Sequence, residues 1–446
     1  MRQGSAGDLI PYVLTEELLH LIDRPDEPAS IQVELRLSGT IDEGKLRSAV
    51  ATAVAVHPMA QASRAAGRVL LRPPRWRIEG RRAAEVVRSQ DLGSDAELSA
   101  ARAEFYSRPI GLQTAPGLRL LLARRRDGDS LLLNVHHAIM DGVGSLRFLH
   151  SVARAYRGRP DPVPAVDPLA MRDLGAHFGG PRPSGPPGAG RVDVPTGAPS
   201  LIVDLPTGKR SLIAPDRERE DPGYGFVHLA LPSDFLRPRD APHVGPPSTL
   251  NDRLLASLHL TIDSWNAEHG NPCRKLAVMM PVNLRPPDWR HEVAANLITT
   301  ALIESTPVQR SAVGLLLPAM VRQTRWVKSR AAFASALNPP PWLQLLSLAL
   351  LGVRGVRGTS MAATLSNLGR IDGPPDFGRE AGEVEAVWFS PPAPMAMGLS
   401  LGAAGWRNHL HLVLRYRRAL FSDEAAGRFA GCFVDALRGV CRGGAM

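Results

Sequence analysis

The chain has 446 residues, 44% of them apolar, which is too apolar for intrinsic disorder and long enough for two cored lobes of about 200 residues each. Its 53 Lys and Arg against 43 Asp and Glu leave a formal charge of +10, favouring anionic partners: phosphorylated cofactors, an acidic carrier protein or an anionic membrane surface. Aromatic residues at 5%, with no basic helix interleaved with stacking side chains, argue against nucleic acid. Cys273, Cys432 and Cys441 form no spacing pattern, so no disulfide framework is expected and a reducing cytoplasm fits. No apolar run reaches membrane-spanning length, and Met1-Arg2-Gln3-Gly4-Ser5 leads into no signal-peptide core. A soluble, cytoplasmic protein is expected, with peripheral membrane contact the one membrane role left open.

Residues 15–23 read as a short helix with Thr15 as N-cap, and Glu16 and Glu17 at its positive end. Ile31, Val33, Leu35 and Leu37 alternate with polar residues as a half-buried strand. Asp42 then opens a helix with Leu46, Ala49, Val50, Ala53 and Val54 on one face, closed by His57-Pro58. Short strands are expected at 69–72 and 76–78. Leu118 to Ala123 and Ser130 to Val135 flank the turn signal Asp127-Gly128 and predict a β-hairpin. After it, Leu146, Leu149, Val152 or Ala153, and Tyr156 recur at helical spacing.

Between that hairpin and that helix lies His136-His137-Ala138-Ile139-Met140-Asp141-Gly142. A neutral imidazole suits proton removal near pH 7. Adjacent residues of an extended segment point to opposite faces, so only one of His136 and His137 should face a given cavity. Asp141, one helical turn on, is placed to hold something in position, and Gly142 permits a turn or a close approach. Such a pattern should arise by chance in roughly two chains per thousand of this length. A structural histidine and a chelating pair, His137 with Asp141, are the competing readings. The sequence supplies no third ligand at metal spacing, so no metal is expected.

From Gly158 to about Gly225 the composition turns to Pro and Gly, as in Pro183-Ser184-Gly185-Pro186-Pro187-Gly188. A linker over 159–225, or a lid across a cleft, separates a first lobe (1–158) from a second (226–446). In the second lobe Val227, Leu229 and Leu231 alternate as a strand. Asn251-Asp252 caps a helix carrying Leu254, Leu255, Leu258, Ile262 and Trp265. Leu276 to Met280 is a buried strand running into Pro281-Val282-Asn283-Leu284-Arg285. The apolar run Trp342 to Val353 is a core helix or cleft wall, or else an interfacial patch or lipid-chain tunnel. Thr364 to Arg370 contains Ser366 and Asn367, which can donate to an oxyanion or simply shape a polar turn. His409 and His411 share one face of an alternating strand, an edge-strand surface in preference to a metal site. The last helix, Ser422 to about Leu437, packs through Ala425, Phe429, Phe433 and Leu437.

The run from His136 to Gly144 resembles the HHxxxDG signature of the CoA-dependent acyltransferase superfamily, nearest its wax ester synthase/diacylglycerol acyltransferase and polyketide-associated acyltransferase groups. Condensation domains and chloramphenicol acetyltransferase share it. The resemblance implies an α/β fold of two chloramphenicol-acetyltransferase-like lobes in a V-shaped pseudo-dimer, with an active-site tunnel at their interface. It implies that His137 is the general base and that Arg285 pairs with Asp141, although a solvent-facing Arg285 is the alternative. Asn296 matches a further motif position, preceded here by Ala295 where relatives often carry Gly. Ser366 and Asn367 would lie beside the tunnel. The D-F-G-W-G run of plant relatives is unmatched, since Asp376-Phe377-Gly378 continues as Arg379-Glu380. The implied reaction moves an acyl group from a thioester to an alcohol or amine without a tightly bound cofactor. Acyl-CoA, or the phosphopantetheine of an acyl or peptidyl carrier protein, would be the cosubstrate. A catalytically silent, carrier-docking protein is the reading from another class.

Overall fold

The computed structural model describes residues 9–65, 74–79, 86–167, 169, 172, 210–217, 221–236, 247–286, 289, 292, 294–335 and 361–442. The strand expected at 69–72, the Pro/Gly-rich stretch at 183–197 and the apolar run at 342–353 lie outside these residues.

In the first half, β1 (Leu9–Pro11), α1 (Leu14–Ile22), β2 (Ser30–Leu37), α2 (Glu43–Val56), β3 (Ala62–Arg64) and β4 (Arg75–Ile78) come first. Then follow β5 (Val87–Asp91), α3 (Asp95–Ser107), β6 (Leu118–Arg124), β7 (Ser130–His136) and α4 (Gly142–Tyr156). The second half runs β8 (Arg210–Ser211), β9 (Tyr224–Pro232), α5 (Leu250–Glu268), β10 (Lys275–Asn283), β11 (Ile298–Ser305), α6 (Pro307–Arg310) and α7 (Val313–Ser335). It ends with β12 (Ala363–Arg370), β13 (Val384–Ser390), β14 (Leu399–Trp406), β15 (His409–Arg417) and α8 (Asp423–Arg442).

Two α/β lobes result. The first is a five-stranded sheet, β13-β2-β7-β6-β5, with α2 and α4 packed through Leu46, Val50, Phe148 and Val152 on one face. The second is a seven-stranded sheet, β11-β10-β12-β14-β15-β9 with β8 beside β10, covered by α5, α7 and α8. A small sheet, β1-β4-β3, flanks the first lobe.

The lobes exchange material. β13 comes from the span expected to be the second lobe, yet it pairs antiparallel with β2, placing Val387 opposite Leu35 and Phe389 opposite Val33. β8 and the start of β9 fall inside the span expected to be linker. Local patterning identifies a strand but not which sheet receives it.

Several local expectations are corrected, those for β2 and β15 by burial from a distant element. β2 is buried on both faces, because its polar side is covered by α3 and by the second lobe: Glu34 takes two bonds from Arg102 of α3, both at 2.7 Å, and Gln32 accepts from Arg415 of β15 at 3.2 Å. β15 is no edge strand: it lies between β14 and β9, so His411 is buried and packs edge-on to Trp388. α1 is capped at Val13, whose N–H donates to Glu16 at 3.0 Å, so Thr15 sits inside the helix. α5 is capped by Thr249 in a reciprocal pair with Asp252, two residues before the expected Asn251. α8 continues past Leu437 to Arg442.

Candidate active site

β7 delivers the histidines. The His137 N–H donates to Ala29 O at 2.8 Å, and Ile139 N bonds His136 O at 3.1 Å, closing a tight turn. The rings diverge. His136 is buried, accepts from Ala138 N through Nδ1 at 3.1 Å, and presents Nε2 to the Asp23 carboxylate at 3.2 Å. His137 Nδ1 lies 3.2 Å from Met140 O. A carbonyl only accepts, so the proton sits on Nδ1 and Nε2 carries the free lone pair. Burial pushes the His137 pKa below the ordinary imidazole value, against the opposing pull of Asp141.

Asp141 is the N-cap of α4, and its Oδ1 accepts from Gly144 N at 2.7 Å. Its Oδ2 takes Arg285 Nη1 at 2.6 Å and Leu297 N at 2.7 Å. Arg285 Nη2 reaches Ala295 O at 2.8 Å, and Asn296 Nδ2 donates to His137 O at 2.9 Å. The residues at 141, 285 and 295–297 are thus sewn to the histidine turn across the lobe boundary. With both oxygens engaged, Asp141 is in no position to chelate alongside His137. Gly142 is required by space: a Cβ there would meet the Phe389 ring at 2.6 Å and Leu368 at 2.7 Å.

His137 faces a cavity of about 210 Å³. Its floor is built from alternate residues of three strands: Met279, Pro281 and Asn283 of β10, Ile298, Thr300 and Leu302 of β11, and Thr364, Ser366 and Leu368 of β12. The other residues of β10, such as Val278 and Met280, face the second-lobe core. Leu18, Leu19 and Ile22 of α1 form an apolar roof. Parallel pairing of β10 with β12 is confined to Val278–Ala363 and Met279–Thr364. Beyond those pairs a cleft of about 870 Å³ lies between the strands, lined by Met280 to Asn283 and by Asn367 to Arg370. A second cleft, of about 640 Å³, runs along the Val143, Leu146 and His150 face of α4. Both clefts border the cavity at Asn283 and Leu368.

Ser366 and Asn367 both line the cavity. Asn367 Oδ1 accepts from Gly369 N at 2.8 Å, which ties that oxygen to a local turn with Gly369 at φ +76°. Asp376 and Phe377, which received no role, pair with Arg157 and pack on Tyr156, away from His137. Sequence reasoning missed the α1 roof, Phe389 and Asn283. The i, i+4 spacing of Leu18 and Ile22 was the one local signal, and it marks only a helix face.

Two lobes closing over a histidine-bearing turn give the chain the fold of condensation domains. The first condensation domain of the calcium-dependent antibiotic synthetase, in complex with substrate analogue 3a, matches with TM-score 0.67 at 15% identity, covering 98% of this chain and 97% of that one. A mutant of the starter condensation domain of rhizomide synthetase, in complex with C8-CoA, matches with TM-score 0.62 at 15% identity, covering 97% and 95%. The chain belongs to the family of the uncharacterized protein Rv2305 of Mycobacterium tuberculosis (strain ATCC 25618 / H37Rv), being 33% identical over 442 residues, 94% of this chain and 97% of that protein. No family model matches it.

Proposed function

We propose that this protein is an acyltransferase that moves an acyl group from a thioester to a hydroxyl or amine. One observation carries the reading: His137 has its proton held on Nδ1 by Met140 O while the ring faces the apolar cavity at the lobe interface. The acceptor's O–H or N–H passes its proton to Nε2 as its lone pair forms a bond to the thioester carbon. The resulting oxyanion accepts a hydrogen bond from Ser366 Oγ or Asn367 Nδ2. The C–S bond then breaks, and the departing thiolate takes the proton back from Nε2.

The donor in this reading is acyl-CoA, a cosubstrate and not a resident cofactor. The 870 Å³ cleft supports it: among the described residues its lining includes Lys328, Arg370 and Arg407 and no carboxylate, which suits a phosphorylated arm. The phosphopantetheine of a carrier protein suits the same charge and is the second reading. A cytoplasmic location belongs to the same proposal. No helix among the described residues is long and apolar enough to cross a membrane.

The test is thiol release from acyl-CoA of graded chain length against alcohols and amines, with product confirmed by mass. His137→Ala should cut product formation by about 10²- to 10⁴-fold while leaving the circular dichroism spectrum unchanged. A fully active variant would sink the mechanism, and release only from a carrier-bound thioester would move the donor to the second reading.

A further inference from the structure

Asn283, the last residue of β10, is one of two described residues, with Leu368, that line the His137 cavity and both outer clefts. Its carboxamide has a forced orientation. The atom 3.1 Å from both Arg285 N and Arg285 Nη1 must be Oδ1, since both partners only donate. Arg285 is itself held by Asp141 and Ala295 O. The amide's other end, Nδ2, is therefore turned away from Arg285, and it has no hydrogen-bond partner among the described residues. Asn283 is exposed, so this oriented donor is open to water in the free protein and available to a ligand where the clefts meet the cavity.

We propose that Asn283 Nδ2 donates a hydrogen bond to an amide carbonyl of the substrate's pantetheine arm, fixing the arm where it turns from the clefts toward His137. The inference rests on the thioester reading above. On this view the Asp141–Arg285 pair does more than tie the lobes together: through Asn283 Oδ1 it aims a substrate-binding donor.

Two substitutions separate this from a purely structural role. Asn283→Asp keeps an acceptor oxygen against Arg285 in the same shape but replaces the donor. Asn283→Ala removes both ends. A residue that only held Arg285 would tolerate Asp and suffer from Ala. A substrate donor loses function with either.

Binding of octanoyl-CoA and of S-octyl-CoA, the thioether lacking the thioester carbonyl, would be measured by calorimetry on the full chain. The expected result is about 10-fold weaker binding of both ligands by both variants, the size of one hydrogen bond. The loss should persist at high salt, where the charge added by Asp is screened, and Asn283→Asp should melt at the wild-type temperature. Wild-type affinity in Asn283→Asp would overturn the inference. So would a loss confined to octanoyl-CoA, which would put Asn283 on the thioester carbonyl, or a wild-type chain that binds neither ligand. Binding without turnover would instead sink acyl transfer and leave the role of Asn283 standing.

Discussion

In the proposed mechanism His137 acts as a base only if Nε2 is unprotonated and the ring faces the cavity, and its neighbours supply both conditions. Met140 O takes the Nδ1 proton, and burial disfavours the imidazolium. Because burial lowers the pKa, the neutral, active form should dominate at and above the ordinary imidazole value of about 6.5. The rate of acyl transfer should therefore be flat through neutral pH and fall only on acidification below that value. A pH–rate profile checks this, and an acid limb centred above pH 7 would contradict it. Removing the base with His137→Ala should cost about 10²- to 10⁴-fold in kcat. His136 is legible as a second histidine, but its place against Asp23 depends on a loop more than 100 residues upstream.

At the scale of elements, the site depends on where α4 begins and what lies against its first turn. Asp141 and Arg285 are both buried, at 2% and 3% side-chain exposure, so the pair orients the turn more than it adds net stability. Arg285→Ala would leave the Asp141 carboxylate buried without its cation and should destabilise the fold by about 3–5 kcal/mol. Urea unfolding measures this, and an unchanged midpoint would mean that water replaces the guanidinium. Gly142→Val places its side chain into Phe389 and Leu368, so the Phe389 ring and the Leu368 side chain, both at the cavity wall, must move. The expected outcome is loss of activity larger than the loss of melting temperature, read by comparing the two in one preparation. Helix faces and the β6–β7 hairpin were legible because their periodicity is local. The caps at Val13 and Thr249 were displaced from the expected residues because a side chain three positions on completes each cap.

Over the whole molecule, the lobe interface buries groups that would otherwise be solvated. Arg415 is fully buried, with bonds to Ser30 O at 3.0 Å and Gln32 Oε1 at 3.2 Å, and its guanidinium lies 3.9 Å from the Tyr224 ring centre. Burial first, then a neighbouring arginine, pushes His57, His228 and His259 down to about 3. Those rings stay neutral in the folded state but bind protons once unfolded below about pH 6.5. Stability from them is thus fully present above that pH and is lost as pH falls toward 3. The melting temperature should drop steadily on acidification from pH 6.5, and replacing the three histidines together should flatten that slope. A slope unchanged in the triple variant would place the acid sensitivity elsewhere.

The amino-acid sequence by itself determined the helix faces, the β6–β7 hairpin and the resemblance at His136 to Gly144, because a short, contiguous run of residues carries each. It pointed to Arg285 and Asn296 through the same resemblance. Only the tertiary structure decided that β13 crosses into the first lobe, that β15 is interior, that α1 roofs the cavity and that Asn283 lies where the cavity meets both clefts. Each of these depends on contacts between residues up to several hundred positions apart, and no local periodicity records which distant surface will cover a given face.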